Sequence, residues 1–261
     1  MNALLAALIA SAAFLTGCAS GPTPAPQGEA PATSDQTDNR RRAQIRLQLA
    51  VGYYEQRQMA VALDEIRQAL VADPSFADAY VMRALIYMDM GENKLAEENF
   101  LQAIKLSPNT PDFNNNYGWF LCQNGREKES IVYFDAALKN RAYQSPAKAL
   151  NNAGICSMKL KNKAAAERYF SQAFQYDPGN PTTNSNLARI YYDQGDYERA
   201  RFYIGRVMKS DVMTADVLWL AIKVERKLGD RAAETSLATQ LRRRHGGSAE
   251  FAAYQRGAFD E

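Results

Sequence analysis

Histidine is almost missing from this chain: among 261 residues there is one, His245, and it follows Arg242, Arg243 and Arg244. A histidine-built metal site or a serine-type triad therefore lacks material. Cysteine is scarce too, and Cys18, Cys122 and Cys156 form neither a dense disulfide framework nor a C-x-x-C pair. No charge of one sign prevails, since 31 Lys and Arg face 29 Asp and Glu for a net +2, so no global field argues for nucleic acid as a partner. Nor is there a glycine-rich phosphate loop or a cluster with metal-ligand spacing. These absences leave no catalytic residues, metal, cofactor or small-molecule substrate to expect, and the chain reads as a binding protein, not an enzyme. The uncharged apolar run from Ala3 to Leu15 is shorter than the roughly 20 residues a membrane-spanning helix needs.

What is present begins with an address. That run has the character of a signal-peptide core, and Leu15-Thr16-Gly17-Cys18 behind it resembles a bacterial lipobox, in which the cysteine thiol receives diacylglycerol. Residues 1–17 are expected to be removed and Cys18 lipidated. Met1 and Asn2 bring no Lys or Arg, which points to a true start codon a few residues upstream. By the sorting rule for such lipoproteins, Ala19 and Ser20 after the cysteine imply the outer membrane, with the folded body facing the periplasm. Acyl burial would hold the tether at about 0.8 kcal/mol per methylene. Pro22, Pro24, Pro26 and Pro31 lie among Gly, Ser, Thr and Gln with no large apolar residue, so residues 18–42 read as lipidated N-terminus and flexible linker.

From Ala43 the periodicity is that of paired helices. Pro74 and Pro108 lie 34 residues apart, the period of tetratricopeptide repeats. The frame 43–76 places Tyr53, Ala62, Ile66, Ala69 and Pro74 at pattern positions; 77–110 gives Ala84, Tyr87, Gly91, Ala96, Phe100, Ala103 and Pro108. Gly118, Leu121, Gly125, Phe134 and Ala137 mark 111–144 and, after two inserted residues, Leu150, Gly154, Ala166, Phe170, Ala173 and Pro178 mark 147–180. The frame 181–214 keeps Leu187, Ala188, Tyr191, Gly195, Ala200, Ile204 and Val207 but has Val212 where proline is expected. Only Leu218, Gly229 and a few apolar places survive in 215–248, as suits a terminal unit, and 249–261 is long enough for a short capping helix. The predicted fold is all-α, a right-handed α-solenoid of about six such helix-turn-helix repeats.

In such arrays the second, fifth, ninth and twelfth places of each first helix face the concave side. They hold Leu47, Val51, Tyr54, Val81, Leu85, Met88, Trp119, Ile155, Met158 and Tyr192, an apolar strip expected to receive a peptide or protein. The alternatives are that these residues pack against the next repeat or that the linker covers them. Asn116, Asn152 and Asn186 share the sixth place, where an amide can bond an extended backbone. A clamp for a chain terminus finds only Arg189 and Lys223, and the arginine run near His245 suits a solvated helix end. Cys122 and Cys156 fall near the ends of adjacent first helices. An oxidising compartment permits a disulfide between them, and buried free thiols are the alternative.

The segments Asn115-Asn116-Tyr117-Gly118-Trp119-Phe120-Leu121-Cys122 and Ala149-Leu150-Asn151-Asn152-Ala153-Gly154-Ile155-Cys156, with the lipobox and six repeats, resemble the PilF/PilW family of type IV pilus biogenesis lipoproteins. The resemblance implies a pilotin: an outer-membrane lipoprotein that binds the pilus secretin and promotes its insertion and oligomerisation, with the early repeats as the contact region. A scaffold for peptidoglycan enzymes or for outer-membrane protein assembly would use the same fold for other clients.

Overall fold

The computed structural model describes residues 34–210 and 213–260. The signal segment, Cys18, the proline-rich stretch and Val212 lie outside the described residues. Within them the chain is helical from end to end: α1 (Ser34–Glu55), α2 (Met59–Ala72), α3 (Ala77–Asp89), α4 (Asn93–Leu106), α5 (Pro111–Gln123), α6 (Glu127–Lys139), α7 (Pro146–Lys159), α8 (Lys163–Tyr176), α9 (Pro181–Asp193), α10 (Tyr197–Val207), α11 (Ala215–Leu228), α12 (Arg231–His245) and α13 (Ala249–Arg256). Each odd-numbered helix up to α11 pairs with the even one after it, and successive pairs stack into a solenoid. None of the described helices is long and apolar enough to cross a membrane.

Local chemistry sets the helix ends. Pro111, Pro146 and Pro181 open α5, α7 and α9, where a missing N–H costs nothing. Asn162, Asn180, Asp196, Asp230 and Ser248 cap helices by accepting from a backbone N–H three residues on. The turn inside each pair demands a left-handed residue at the fifteenth place. Gly91, Gly125, Gly195 and Gly229 supply it with φ between 77° and 81°, while Arg57 and Lys161 adopt it at φ 61° and 58° in the first and fourth repeats.

The contact between the two helices of a pair is set by small residues at the eighth and twentieth places and a bulky one at the twenty-fourth. Ala50, Ala62 and Ile66 are fully buried in the first repeat, as are Ala84, Ala96 and Phe100 in the second. Where glycine stands at the eighth place the helices approach further: a Cβ on Gly154 would lie 2.6 Å from the Phe170 ring, and one on Gly118 2.9 Å from Phe134. The sixth repeat breaks the rule with Ile222 and Glu234. It holds because Glu234, 6% exposed, receives Arg226 and Arg231, each at 2.8 Å. That ion pair explains why the repeat is faint in sequence yet intact as a helix pair.

One boundary differs from the expectation. Helix α1 begins at Ser34, inside the stretch read as linker, because the prolines stop at Pro31 and the charged residues beyond have somewhere to dock. Arg40 lies 2.8 Å from Asp73 and stacks 4.6 Å from the Phe76 ring centroid, which fixes the extra turns against the end of the first repeat.

Candidate protein-binding surface

The first helices of successive repeats line the inner face, and they touch one another. The Tyr54 hydroxyl donates to Asp89 Oδ2 at 2.7 Å, joining α1 to α3. Burial, then that hydrogen bond and the nearby carboxylate charge, push the Tyr54 phenol up to about 12. Lys159 Nζ donates to the Cys122 carbonyl at 3.1 Å and to Gln123 Oε1 at 2.6 Å, joining α7 to α5. Arg189 comes within 3.9 Å of Asp216, α9 to α11. Burial lowers the Lys223 ammonium's pKa, with Arg189 adding to the effect, and its Nζ lies 5.2 Å from the Tyr192 ring centroid.

This contact between neighbours changes what the apolar strip is. Val81 is 7% exposed and belongs to the core around Phe100 and Tyr117, so it cannot face a ligand. Leu85 and Met88 are half-buried against the same cluster, Trp119 against the one around Cys122 and Phe134, and Ile155, Met158 and Tyr192 against the one around Leu187. Leu47 and Tyr54 are half-buried in the first repeat. Val51, 36% exposed, stays accessible. The inner face is therefore a shallow, half-sealed surface in place of an open hydrophobic trough.

The asparagines are likewise engaged within the chain. Asn152 Nδ2 donates to Asn115 Oδ1 at 3.0 Å, and Asn115 Nδ2 to Asn116 Oδ1 at 3.3 Å, tying α7 to α5. The Thr183 hydroxyl donates to Asn151 Oδ1 at 2.6 Å, tying α9 to α7. Asn186 Nδ2 bonds Thr182 O in its own helix. The sixth-place amides thus serve inter-repeat and local bonding, and the fully buried Asn115 is the hub that sequence reasoning passed over. Cys122 and Cys156 are joined as a disulfide, Cα atoms 5.9 Å apart, across α5 and α7. His245 Nε2 donates to the Met213 carbonyl at 2.7 Å, and Arg242, Arg243 and Arg244 are exposed at the end of α12.

An uncovered apolar surface lies elsewhere, on the outer side of α1. In every later first helix the third and tenth places are buried against the preceding repeat: Ala79 and Ile86, Phe113 and Phe120, Ala149 and Cys156, Thr183 and Ile190, Val217 and Val224, all at 5% exposure or less. The corresponding places in α1 are Ile45, 51% exposed, and Gly52, whose added Cβ would meet nothing within 4 Å. Leu49, at the seventh place between them, is 42% exposed. This face carries the residues of a repeat-to-repeat contact, and no repeat among the described residues packs on it. Its signal, apolar residues at those places in the first repeat, was in the sequence.

Residues 77–110 and 158–220 match the tetratricopeptide repeat family. The type IV pilus assembly protein PilF of Pseudomonas aeruginosa is 29% identical over 209 residues, covering 80% of this chain and 83% of that protein. A solved structure of Pseudomonas aeruginosa PilF superposes with a TM-score of 0.80 at 27% identity, over 84% of this chain and 99% of that one. The solved structure of PilW, described as a widely conserved type IV pilus biogenesis factor, superposes with a TM-score of 0.73 at 34% identity, over 82% of this chain and 98% of PilW. YrrB, a tetratricopeptide protein with an unusual peptide-binding site, shares the fold at 20% identity and a TM-score of 0.53. With one solved relative matched over nearly its whole length at that level of identity, the chain belongs to the PilF/PilW family of tetratricopeptide type IV pilus biogenesis proteins.

Proposed function

We propose that this protein is a pilotin: a lipoprotein anchored through Cys18 in the outer membrane, facing the periplasm, that binds the type IV pilus secretin and promotes its localisation and oligomerisation there. The observation that carries the contact is the outer face of α1, where Ile45 stands exposed at a place that every later repeat buries and Leu49 beside it adds apolar area. That face lies at the end of the solenoid that follows the lipid tether in the chain, so a partner seated on it is held near the membrane. Tethering raises the local concentration of secretin subunits without any further contact. The role asks for no catalysis.

The test is the secretin's state in envelopes of cells lacking this protein, resolved on gels that preserve heat-resistant multimers. Wild type restores multimers. Cys18→Ala fails to place them in the outer membrane, and Ile45→Glu with Leu49→Glu, a surface change that leaves the fold intact, reduces them severalfold. Normal multimers without the protein would overturn the reading and favour the cell-wall or outer-membrane assembly scaffold. Full activity of the α1 variant would move the contact away from this face.

A further inference from the structure

The other end of the solenoid is not left open. A seventh repeat would begin at Ala249, 34 residues after Ala215, and α13 starts there but stops after eight residues. Gly257, at φ 71°, turns the chain back: its N–H bonds Tyr254 O at 3.0 Å and the Ala258 N–H bonds Ala253 O at 3.0 Å. The returning residues do not continue the stack. Phe259 lies against Trp219, ring centroids 5.3 Å apart and planes 29° from parallel, with Tyr254 edge-on to it at 5.9 Å. The Arg226 guanidinium lies 3.8 Å from the Phe259 centroid, and Asp260 Oδ1 is 3.5 Å from Lys227 Nζ.

Trp219, Lys223 and Arg226 are the fifth, ninth and twelfth residues of the sixth repeat, places that face inward along the rest of the array, and Lys227 follows them in the chain. Lys223 Nζ lies 5.7 Å from the Trp219 ring centroid. Phe259 and Asp260 therefore sit where a bound segment would sit, and their chemistry matches their seat: an aromatic ring between indole and guanidinium, then a carboxylate facing a cation. The hold is light. The Asp260 side chain is 91% exposed, so its ion pair with Lys227 is screened by water.

We propose that the inner face of the sixth repeat is a second binding site, for a peptide segment with an aromatic residue followed by a carboxylate, and that the chain's own Phe259 and Asp260 fill it until such a partner displaces them. The site is independent of the α1 face: it lies in the last repeat, has different chemistry and needs no lipid. A partner must compete with an intramolecular occupant, so its apparent affinity is reduced by the fraction of molecules whose seat is vacant.

The probe is a peptide of the chain's own segment, Gln255 to Glu261, carrying a fluorophore at its N-terminus and titrated by anisotropy against the purified mature protein. Phe259→Ala with Asp260→Ala, which vacates the seat, binds the probe about tenfold or more tightly than wild type. Replacing the probe's Phe by Ala removes the gain and adding Lys227→Glu to the vacated variant reduces it, with circular dichroism melts confirming that each variant is folded. Equal binding by wild type and the vacated variant, or none by the vacated variant, would overturn the proposal. So would a wild-type dimer that dissociates on Phe259→Ala, because it would assign the seat to a second copy of the chain.

Discussion

At two glycines the helix pairs show how a single methyl group changes sign with its neighbours. In mid-helix, alanine is preferred over glycine by roughly 0.5–1 kcal/mol because glycine loses more backbone freedom on folding. At Gly52 nothing opposes that gain, since an added Cβ meets no atom within 4 Å, and Gly52→Ala is expected to raise stability by about 0.5–1 kcal/mol. At Gly154 the same Cβ would be driven to 2.6 Å from the buried Phe170 ring, where overpacking costs roughly 1–3 kcal/mol. The clash wins, so Gly154→Ala lowers stability by about 1 kcal/mol. Urea unfolding of the two variants beside wild type checks both signs. Glu225 adds a pH test. Burial raises its carboxyl pKa, against the opposing pull of Arg201. The folded state then holds the proton more tightly than the unfolded one, so this group's contribution is fully favourable below the unfolded carboxylate pKa and is lost as pH rises through the folded value. Glu225→Gln cannot titrate, and its stability relative to wild type should move in the variant's favour between acid and neutral pH. A constant difference across that range would remove Glu225 as the source.

Among the elements, the helix pairs could be read in advance because the repeat imposes one residue type per place, and places eight, fifteen, twenty and twenty-four recur. What escaped were elements fixed by contacts that the pattern does not encode. The early start of α1 depends on Arg40 meeting Asp73 and Phe76, residues more than 30 positions later. The soundness of the sixth repeat depends on Glu234 being paired in a place the pattern reserves for alanine. The Cys122–Cys156 bond is intermediate: spacing made it possible, and the stacking of α5 on α7 brings the two Cα atoms to 5.9 Å. Closing a loop across a separation of 34 residues restricts the unfolded chain by about 4 kcal/mol in the loop-entropy picture. Cys122→Ala with Cys156→Ala is accordingly expected to cost about 2–4 kcal/mol, read as a lower urea midpoint. Reductant should lower the wild-type midpoint and leave the variant's unchanged.

Across the whole molecule, the candidate site was half legible. The inward-facing places were read from the period alone, but a period gives direction, not neighbours. Val81 faces inward and is sealed by its own core, and Asn116 and Asn152 join a hydrogen-bond chain through Asn115. At the two ends of the array the apolar places of α1 and a short last helix could be read in advance, but not what each end packs against. A solenoid buries each unit against the next, so its ends are where burial is incomplete: here α1 presents Ile45 and Leu49, and the opposite end folds Phe259 over Trp219.

The covalent link between α5 and α7 also has a mechanical meaning. A stacked array pulled from its ends behaves as a spring whose coils can open one after another, and a pull between the proposed tether and a partner at the proposed sixth-repeat site would load it in that way. The residues between Cys122 and Cys156 cannot pay out while the bond is intact. Stretched between beads in an optical trap, the oxidised protein should release a contour shorter by roughly 110–120 Å than the reduced one, with the first two and last two repeats yielding in both. Equal contours would mean that the bond does not carry the load. A middle that does not lengthen would let tension pass through the protein while the repeats on either side give way.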